Sequence, residues 1–431
     1  MCNSLQEFFK DKMEEIKKDG FTKDNLRKLF YKNTNGYPES LSLISSVHGK
    51  LKAVLIAPKG EAASADCKLL VEYDNNSLKN MYWWAMVDME NACKGLNSIK
   101  WLNTTKGEAP RIESFFQDMI VVIKDLKTQK LWLVDHCHGN DSNTAEQIYS
   151  TYQNDLKDFG YASLPFFLPG GDILIGDHFI FIGFCTFQRN LDEFSKHEIL
   201  KKAIEKYYKE VTGTCASHFR DAFLLVLNHV LDTSRKIIIF PNEECVVEKE
   251  KERAASFDPV KFREHLDWFL TLGGEDEDGN YLIFLGKPKN ISINDNSRDT
   301  FFATIDSWWE DTRSWLISQN SGTDNRKFKI IELPIPCISY NSSNSRSKKI
   351  WTAYSYNNCL VEDYKGQKSI LVPKYADSRK NGAELCAYDN RVVKIFDCAG
   401  FKEIKKIGKL SAYLENGKGS LHCLTKDLIR E

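Results

Sequence analysis

From about residue 111 onward, this chain repeats one pattern: strand, strand, helix, strand. "FFQDMIVVIKD" and "KLWLVDHC" read as two strands joined by a polar turn, and "NTAEQIYSTYQNDLKDFG" follows with helical spacing and a Gly stop. "GGDILIGDHFIFIGF" reads as two strands around Gly176 and Asp177. Two helices, "SKHEILKKAIEKYYKEV" and "SHFRDAFLLVLNHVLDT", and the strand "RKIIIFPN" come next. "HLDWFLTLGGEDEDGNYLIFLG" is two strands about an acidic turn, with "DTFFATIDSWWEDTRSWLIS" as helix and "KFKIIELPIP" as strand behind it. A supersecondary unit repeated at this period points to a closed or solenoid assembly. The hairpins inside each unit exclude a purely parallel doubly wound sheet. The expected class is α/β, with strands arranged radially and helices outside.

Before the repeats, residues 1–50 are helical and polar and read as an N-terminal extension. "LKAVLIAPKG" and "CKLLVEYD" read as strands, and the aromatic "MYWWAMVDMENACKGL" as a core helix. Residues 51–431 read as one α/β domain, and "SYNSSNSRSKK" at 339–349 as a loop. At 42% apolar residues the chain has material for a large core. The formal net charge of −1, without a long basic block, argues against nucleic acid or an anionic membrane as main partner. The start, "MCNSLQEFFKDKMEEIKKDGF", is a charged amphipathic helix rather than a secretory leader, and no apolar run spans a bilayer. A cytoplasmic protein is expected, its 12 cysteines held as free thiols. No CxxC pair is present, so no structural zinc is expected, nor any cofactor.

Several short stretches could carry chemistry. In "EHLDWFLTL", His265 and Asp267 are two apart within an apolar strand pattern, so alternation puts both on one face. Asp118 in "FFQDM" precedes a strand, and Asp172 in "LPGGDILIG" follows a Gly pair that permits a tight turn. The chain ends on "ENGKGSLHCLTKDLIRE", where Cys423 stands beside His422 after a Gly-rich turn. Each also has a plain structural reading: a capping pair, turn carboxylates, a small buried thiol. "DHCH" at 135–138 alternates metal-ligand types but lacks a second cluster, and "GGEDEDGN" at 273–280 reads as a polar hairpin turn.

Taken together and in this order, Asp118 in "FFQDM", "GGDILIGDHFIFIG", "HLDWFLTL", "YSYNNCLV" with "ILVPKY", and "GKGSLHCLT" resemble the guanidino-group modifying enzymes. That superfamily includes arginine, agmatine and peptidylarginine deiminases, dimethylarginine hydrolases and amidinotransferases. The resemblance covers the chain from about residue 111 to its end. It implies a five-bladed α/β propeller (pentein) of ββαβ quasi-repeats, which agrees with the rhythm, and makes 51–431 the catalytic domain. It implies Cys423 as nucleophile, His265 and Asp267 as the His-x-Asp pair, and Asp118 as a guanidinium-binding carboxylate. Asp172 matches the Asp of the "GGD" segment, and Asn358 in "YSYNNCLV" is carried over as a substrate-binding residue. Two departures stand out. Pro169 takes the place of an acidic residue found in some arginine deiminases, and Lys418 interrupts the Gly run.

The implied chemistry suits these residue types. A guanidinium is planar and permanently charged, so carboxylates fix its plane. Its carbon is a poor electrophile and needs a thiolate. Attack by Cys423 and loss of ammonia would leave a thiouronium, which water converts to a citrulline-like ureido product. One histidine serves as acid and then as base. The expected activity is that of a deiminase acting on linear amidines, with agmatine or peptidyl arginine favoured over free arginine. The alternatives are an amidinotransferase or a catalytically silent binding protein on the same fold. Oligomeric state is not legible.

Overall fold

The computed structural model describes residues 5–32, 34, 40–56, 100–103, 116–118, 120–136, 144–151, 154, 156, 158–241, 265–291, 299–319, 326–341, 349–376, 382–408, 420–423 and 425–430. The expected strand "CKLLVEYD", the expected helix "MYWWAMVDMENACKGL" and Lys418 lie outside them. The protein is a mixed α/β chain with five small sheets among the described residues. It divides into two compact units, Met1–Ile44 with Gln117–Phe240, and Ser45–Phe116 with Pro241–Glu431.

In the first unit, Ile120–Asp125 pairs antiparallel with Leu131–Asp135, and Leu131–Asp135 pairs parallel with Phe159–Ser163 after the helix Thr144–Thr151. Leu41–Leu43 extends that sheet on its other edge. The second sheet has the same plan. Ile173–Ile175 pairs antiparallel with Phe179–Gly183, which pairs parallel with Lys236–Phe240. Its crossover holds the helices Phe184–Ser195, Glu198–Thr212 and Phe219–Leu231. The central strand Phe179–Gly183 is buried at every position, as a strand covered on both faces must be. The N-terminal helices Leu5–Phe9, Met13–Asp19 and Leu26–Phe30 belong to this unit's core. Phe9 and Phe30 are fully buried against Phe194, and Phe30 stacks on it at 6.1 Å and 9°. The Tyr31 hydroxyl donates to the Val230 carbonyl at 2.8 Å.

The second unit repeats the plan three times. Leu270–Glu275 pairs antiparallel with Tyr281–Asn290, which pairs parallel with Phe328–Asn341 across the helix Asp299–Ser318. Lys349–Ala353 adds an antiparallel edge. Leu360–Tyr364 and Gln367–Pro373 form a hairpin, and Gln367–Pro373 runs parallel to Phe401–Ile407 across the helix Gly382–Cys398. The last sheet joins the two ends of the unit. Thr425–Arg430 pairs antiparallel with Leu51–Ile56, which pairs parallel with Lys100–Asn103. The terminal strand is therefore knitted into a sheet, and Arg430 adds hydrogen bonds to the carbonyls of Val47 at 2.9 Å and Val361 at 2.8 Å.

Two local expectations change. Gly160 does not stop a helix. The helix ends at Thr151, and Gly160 lies inside Phe159–Ser163, where the Trp132 ring fills the space a Cβ would need. His265 and Asp267 are not on one strand either. A 3-10 turn, Leu266–Trp268, intervenes, and the strand begins at Leu270. Among the described residues no helix is long and apolar enough to cross a membrane.

Candidate functional site

Asp267 sits in the middle of the 3-10 turn, 1% exposed. The turn is closed by the Trp268 and Phe269 amides, which donate to the carbonyls of His265 and Leu266. Ser355 Oγ donates to the Trp268 carbonyl and ties the turn to the loop before Leu360. Asn357 secures that loop. Its Nδ2 donates to Thr271 Oγ1 at 3.1 Å and to the Phe284 carbonyl at 2.9 Å, while Thr271 Oγ1 donates to the Asn357 carbonyl at 2.8 Å. Asn358, the next residue, is thereby held beside Asp267 and is fully buried.

Cys423 arrives from the other direction. Leu421–Cys423 form a buried turn. Thr425 closes it, its amide donating to the His422 carbonyl at 3.1 Å and its hydroxyl to the carbonyls of Leu421 and His422 at 3.2 Å. Just before the turn, Ser420 Oγ lies 3.0 Å from the Tyr375 hydroxyl, which donates to the Ser355 carbonyl at 2.7 Å. Burial raises the Tyr375 phenol well above its ordinary range, so it stays neutral and able to donate. The segment bearing Cys423 is thus clamped ahead by Tyr375 and behind by the strand Thr425–Arg430.

Asn358 bridges the two parts. Its Nδ2 donates to Asp267 Oδ2 at 3.0 Å and to Cys423 Sγ at 3.0 Å, and its Oδ1 accepts the Cys423 amide at 3.1 Å. A carboxylate and a backbone N–H on opposite ends fix the amide's orientation. Cys423 Sγ lies 3.6 Å from Asp267 Oδ2. His422 completes the group, its Nδ1 2.8 Å from the same oxygen. Asp267 Oδ2 therefore has three neighbours, while Oδ1 is buried with no hydrogen-bond partner among the described residues. A buried carboxylate oxygen of this kind is costly unless a donor or cation reaches it.

The expected residues fall into two clusters, one in each unit. Asp267, Asn358 and Cys423 meet in the second unit. His265 is half-buried and extended immediately before the turn, with φ −135° and ψ 128°. The histidine bonded to Asp267 is His422, to which sequence reasoning gave no role, although its place beside the thiol was on view. Asp118 and Asp172 lie in the first unit, in two 3-10 turns, Phe116–Asp118 and Gly170–Asp172. The Gly171 amide donates to Asp118 Oδ1 at 2.8 Å, and Gln117 Nε2 donates to the Gly170 carbonyl at 3.2 Å. A Cβ on Gly170 would stand 1.9 Å from the Gln117 carbonyl oxygen, so only glycine permits the turns to dock. Asp172 is fully buried against Gly183, where a Cβ would stand 2.1 Å from its Oδ1. Pro169 precedes the turn in an extended conformation, its carbonyl accepting the Asp172 amide at 3.0 Å.

In the "DHCH" stretch, Asp135 Oδ1 accepts the Ala145 amide at 2.8 Å and His136 Nδ1 accepts the Leu168 amide at 3.3 Å, while Cys137 and His138 lie outside the described residues. In "GGEDEDGN", Asp276 Oδ1 accepts the amides of Asp278 at 3.0 Å and Asn280 at 2.8 Å, which makes it a hairpin turn.

No family model matches the chain, and no curated protein matches it. Solved structures do. A candidate peptidyl-arginine deiminase is 14% identical with a TM-score of 0.54, the match covering 91% of this chain and all of the other. A candidate arginine deiminase from Porphyromonas gingivalis is 12% identical with a TM-score of 0.50, covering 90% of this chain and 98% of the other. At these identities the likeness is one of fold. The chain shares its fold with these two structures.

Proposed function

We propose that the protein is a deiminase. It hydrolyses the guanidinium group of an arginine derivative to a ureido group and ammonia, through a covalent intermediate on Cys423. The observation that carries this reading is the convergence of Cys423, Asp267 and Asn358, with Asp267 Oδ1 buried and open to a donor. A substrate guanidinium would give that oxygen an N–H and a positive charge. A carboxylate 3.6 Å from the sulfur repels a thiolate, and a cation bound to the carboxylate removes that repulsion. The nucleophile is thereby armed only when substrate is present.

In this reading the Cys423 thiolate attacks the guanidinium carbon. His265 protonates one nitrogen of the tetrahedral adduct, the C–N bond breaks, and ammonia leaves a thiouronium. The neutral histidine then takes a proton from water. Hydroxide adds to the same carbon, the C–S bond breaks, and the ureido product departs. One water is consumed and one ammonium released. Asp118 serves as a further guanidinium carboxylate, and Asp172 and Asn358 as further substrate-binding residues. The five sheets are read as blades of the five-bladed propeller that the resemblance implies, and the setting as cytoplasmic. Pro169 in place of an acidic residue favours a peptidyl arginine, which has neither α-charge, or agmatine, which keeps only its amine, over free arginine, because a site without paired counter-charges would leave both α-charges of free arginine desolvated.

Agmatine, an N-acyl arginine amide and free arginine, assayed for ammonia and for ureido product, test the proposal. Turnover of at least one is expected, with the first two having the higher kcat/KM. Ammonia-free transfer of the amidino group to an added amine would make the protein an amidinotransferase. No reaction with any of the three, under conditions where Cys423 reacts with thiol reagents, would overturn the reading.

A further inference from the structure

The pairing of His422 with Asp267 lies outside the roles argued so far. We propose that His422 is a positioning residue. Its Nδ1–H holds Oδ2 of Asp267 so that Oδ1 alone is presented to the substrate cation. The inference rests on the deiminase reading and names what aims its carboxylate.

Three observations lead there. First, His422 Nδ1 lies 2.8 Å from Oδ2, where the tautomer with its proton on Nδ1 donates to the carboxylate oxygen. Second, Asp267 is 1% exposed and His422 8% exposed, so water contributes little to fixing the carboxylate plane. Rotation about the Asp267 side chain is therefore resisted by the protein groups bonded to its oxygens and packed around it. The two nitrogen donors that reach it, His422 Nδ1 and Asn358 Nδ2, converge on Oδ2, the oxygen that also faces Cys423 Sγ. Third, the backbone that carries the imidazole is itself held. The His422 amide donates to the Asn358 carbonyl at 3.4 Å, and the His422 carbonyl accepts from Thr425. The division of labour follows. One oxygen is spent on internal donors, and the other is kept for a single N–H of the guanidinium. Asp267 therefore grips in a monodentate way, instead of the two-oxygen fork that an isolated carboxylate offers an arginine.

The test compares His422→Leu, His422→Asn and His422→Gln in the full chain. An Asn amide nitrogen falls where Nδ1 stood, whereas a Gln amide nitrogen falls where Nε2 stood. His422→Leu and His422→Gln are expected to lower kcat/KM about 10- to 100-fold, the usual scale for losing one charge-assisted hydrogen bond. His422→Asn is expected to restore it to within about fivefold of wild type. In a Cys423→Ser background, agmatine affinity is expected to fall in Gln and recover in Asn, a pattern that mere packing does not produce. If His422→Leu fails to fold, the Asn and Gln pair still decides. Equal kcat/KM in Asn and Gln, or wild-type kcat/KM in Leu, overturns the inference while the deiminase reading stands. A wild-type protein that turns over no guanidino compound overturns the deiminase reading itself.

Discussion

Asp267 and Asp118 are both buried carboxylates preceded by an apolar or amide neighbour in a 3-10 turn, yet they are held in different ways. Asp267 is bonded by side chains, His422 and Asn358, on one oxygen. Asp118 accepts a backbone amide, Gly171, and so helps to dock two turns. A side-chain grip can be changed without rebuilding the fold. A backbone grip makes the carboxylate part of the fold. At Asp267 the proposed chemical role can be tested apart from the fold, whereas at Asp118 the proposed guanidinium role is joined to a docking role, and mutations test how far the two part.

The largest effect is expected at sulfur. Two buried cysteines flank Asn358, one in sequence and one in space. Burial pushes the Cys359 thiol up to about 12, so it remains an inert thiol near neutrality. Cys423→Ala should lower turnover at least about 1000-fold with the melting temperature little changed, since the covalent route is gone. Cys359→Ala should leave most of the turnover and cost stability through a lost buried contact. Steady-state kinetics and thermal melts on both variants check this. Substantial turnover in a folded Cys423→Ala protein would remove the thiol from the mechanism.

Next come the carboxylates. Asp267→Asn keeps an oxygen for the His422 proton and removes the charge that a guanidinium would meet. A loss of roughly 100- to 1000-fold in kcat/KM is expected, the scale seen when an electrostatic group facing a reacting centre is removed. Asp118→Asn also keeps an acceptor for the Gly171 amide, so its melting temperature should hold. Its rate then reports function alone. A comparable loss would support a guanidinium role for Asp118, and wild-type kinetics would leave it as the acceptor that docks the two turns.

The legible parts of this molecule are those whose signal is local. The central parallel strands, "FIFIG" and "YLIFLG", are buried on both faces, so they read as unbroken apolar runs. The repeated ββαβ order followed from them. The helix Phe184–Ser195 escaped because it starts directly at the end of the strand Phe179–Gly183, with no polar break to mark the change of period. Gly160 was misread because the reason for a glycine there is the Trp132 ring on a neighbouring strand. The His-x-Asp pair was assigned a strand because alternation and a 3-10 turn look alike over three residues. Within the site, the residue types were legible and their wiring was not. His422 meets Asp267 across 155 positions, and Asn358 meets Cys423 across 65. No periodicity encodes such pairings. The N-terminal helices were legible as helices, but their burial against Phe194 is equally non-local.

A third buried acid, Asp135, offers a control in which burial acts without a role in the proposed reaction, and there the effect should be smallest. Its carboxyl is pushed up to about 7, first by burial and then by the nearby Glu146, against a hydrogen bond from the Ala145 amide. The folded state thus favours the neutral acid more than the unfolded chain does. The stability this gives is fully present below the ordinary carboxylate range near 4 and is lost as pH rises through about 7. The protein should therefore lose stability between pH 4 and 7 from this group and level off above it, by an amount on the order of a few kcal/mol. Asp135→Asn keeps an acceptor for the Ala145 amide and cannot ionise. Its melting temperature should fall less than that of the wild type between pH 4 and 8, with the variant the more stable of the two at pH 8. Turnover, corrected for the folded fraction, should be unchanged. Parallel melting curves would refute the assignment. A loss of turnover would show that Asp135 belongs with Asp118 and Asp267 after all.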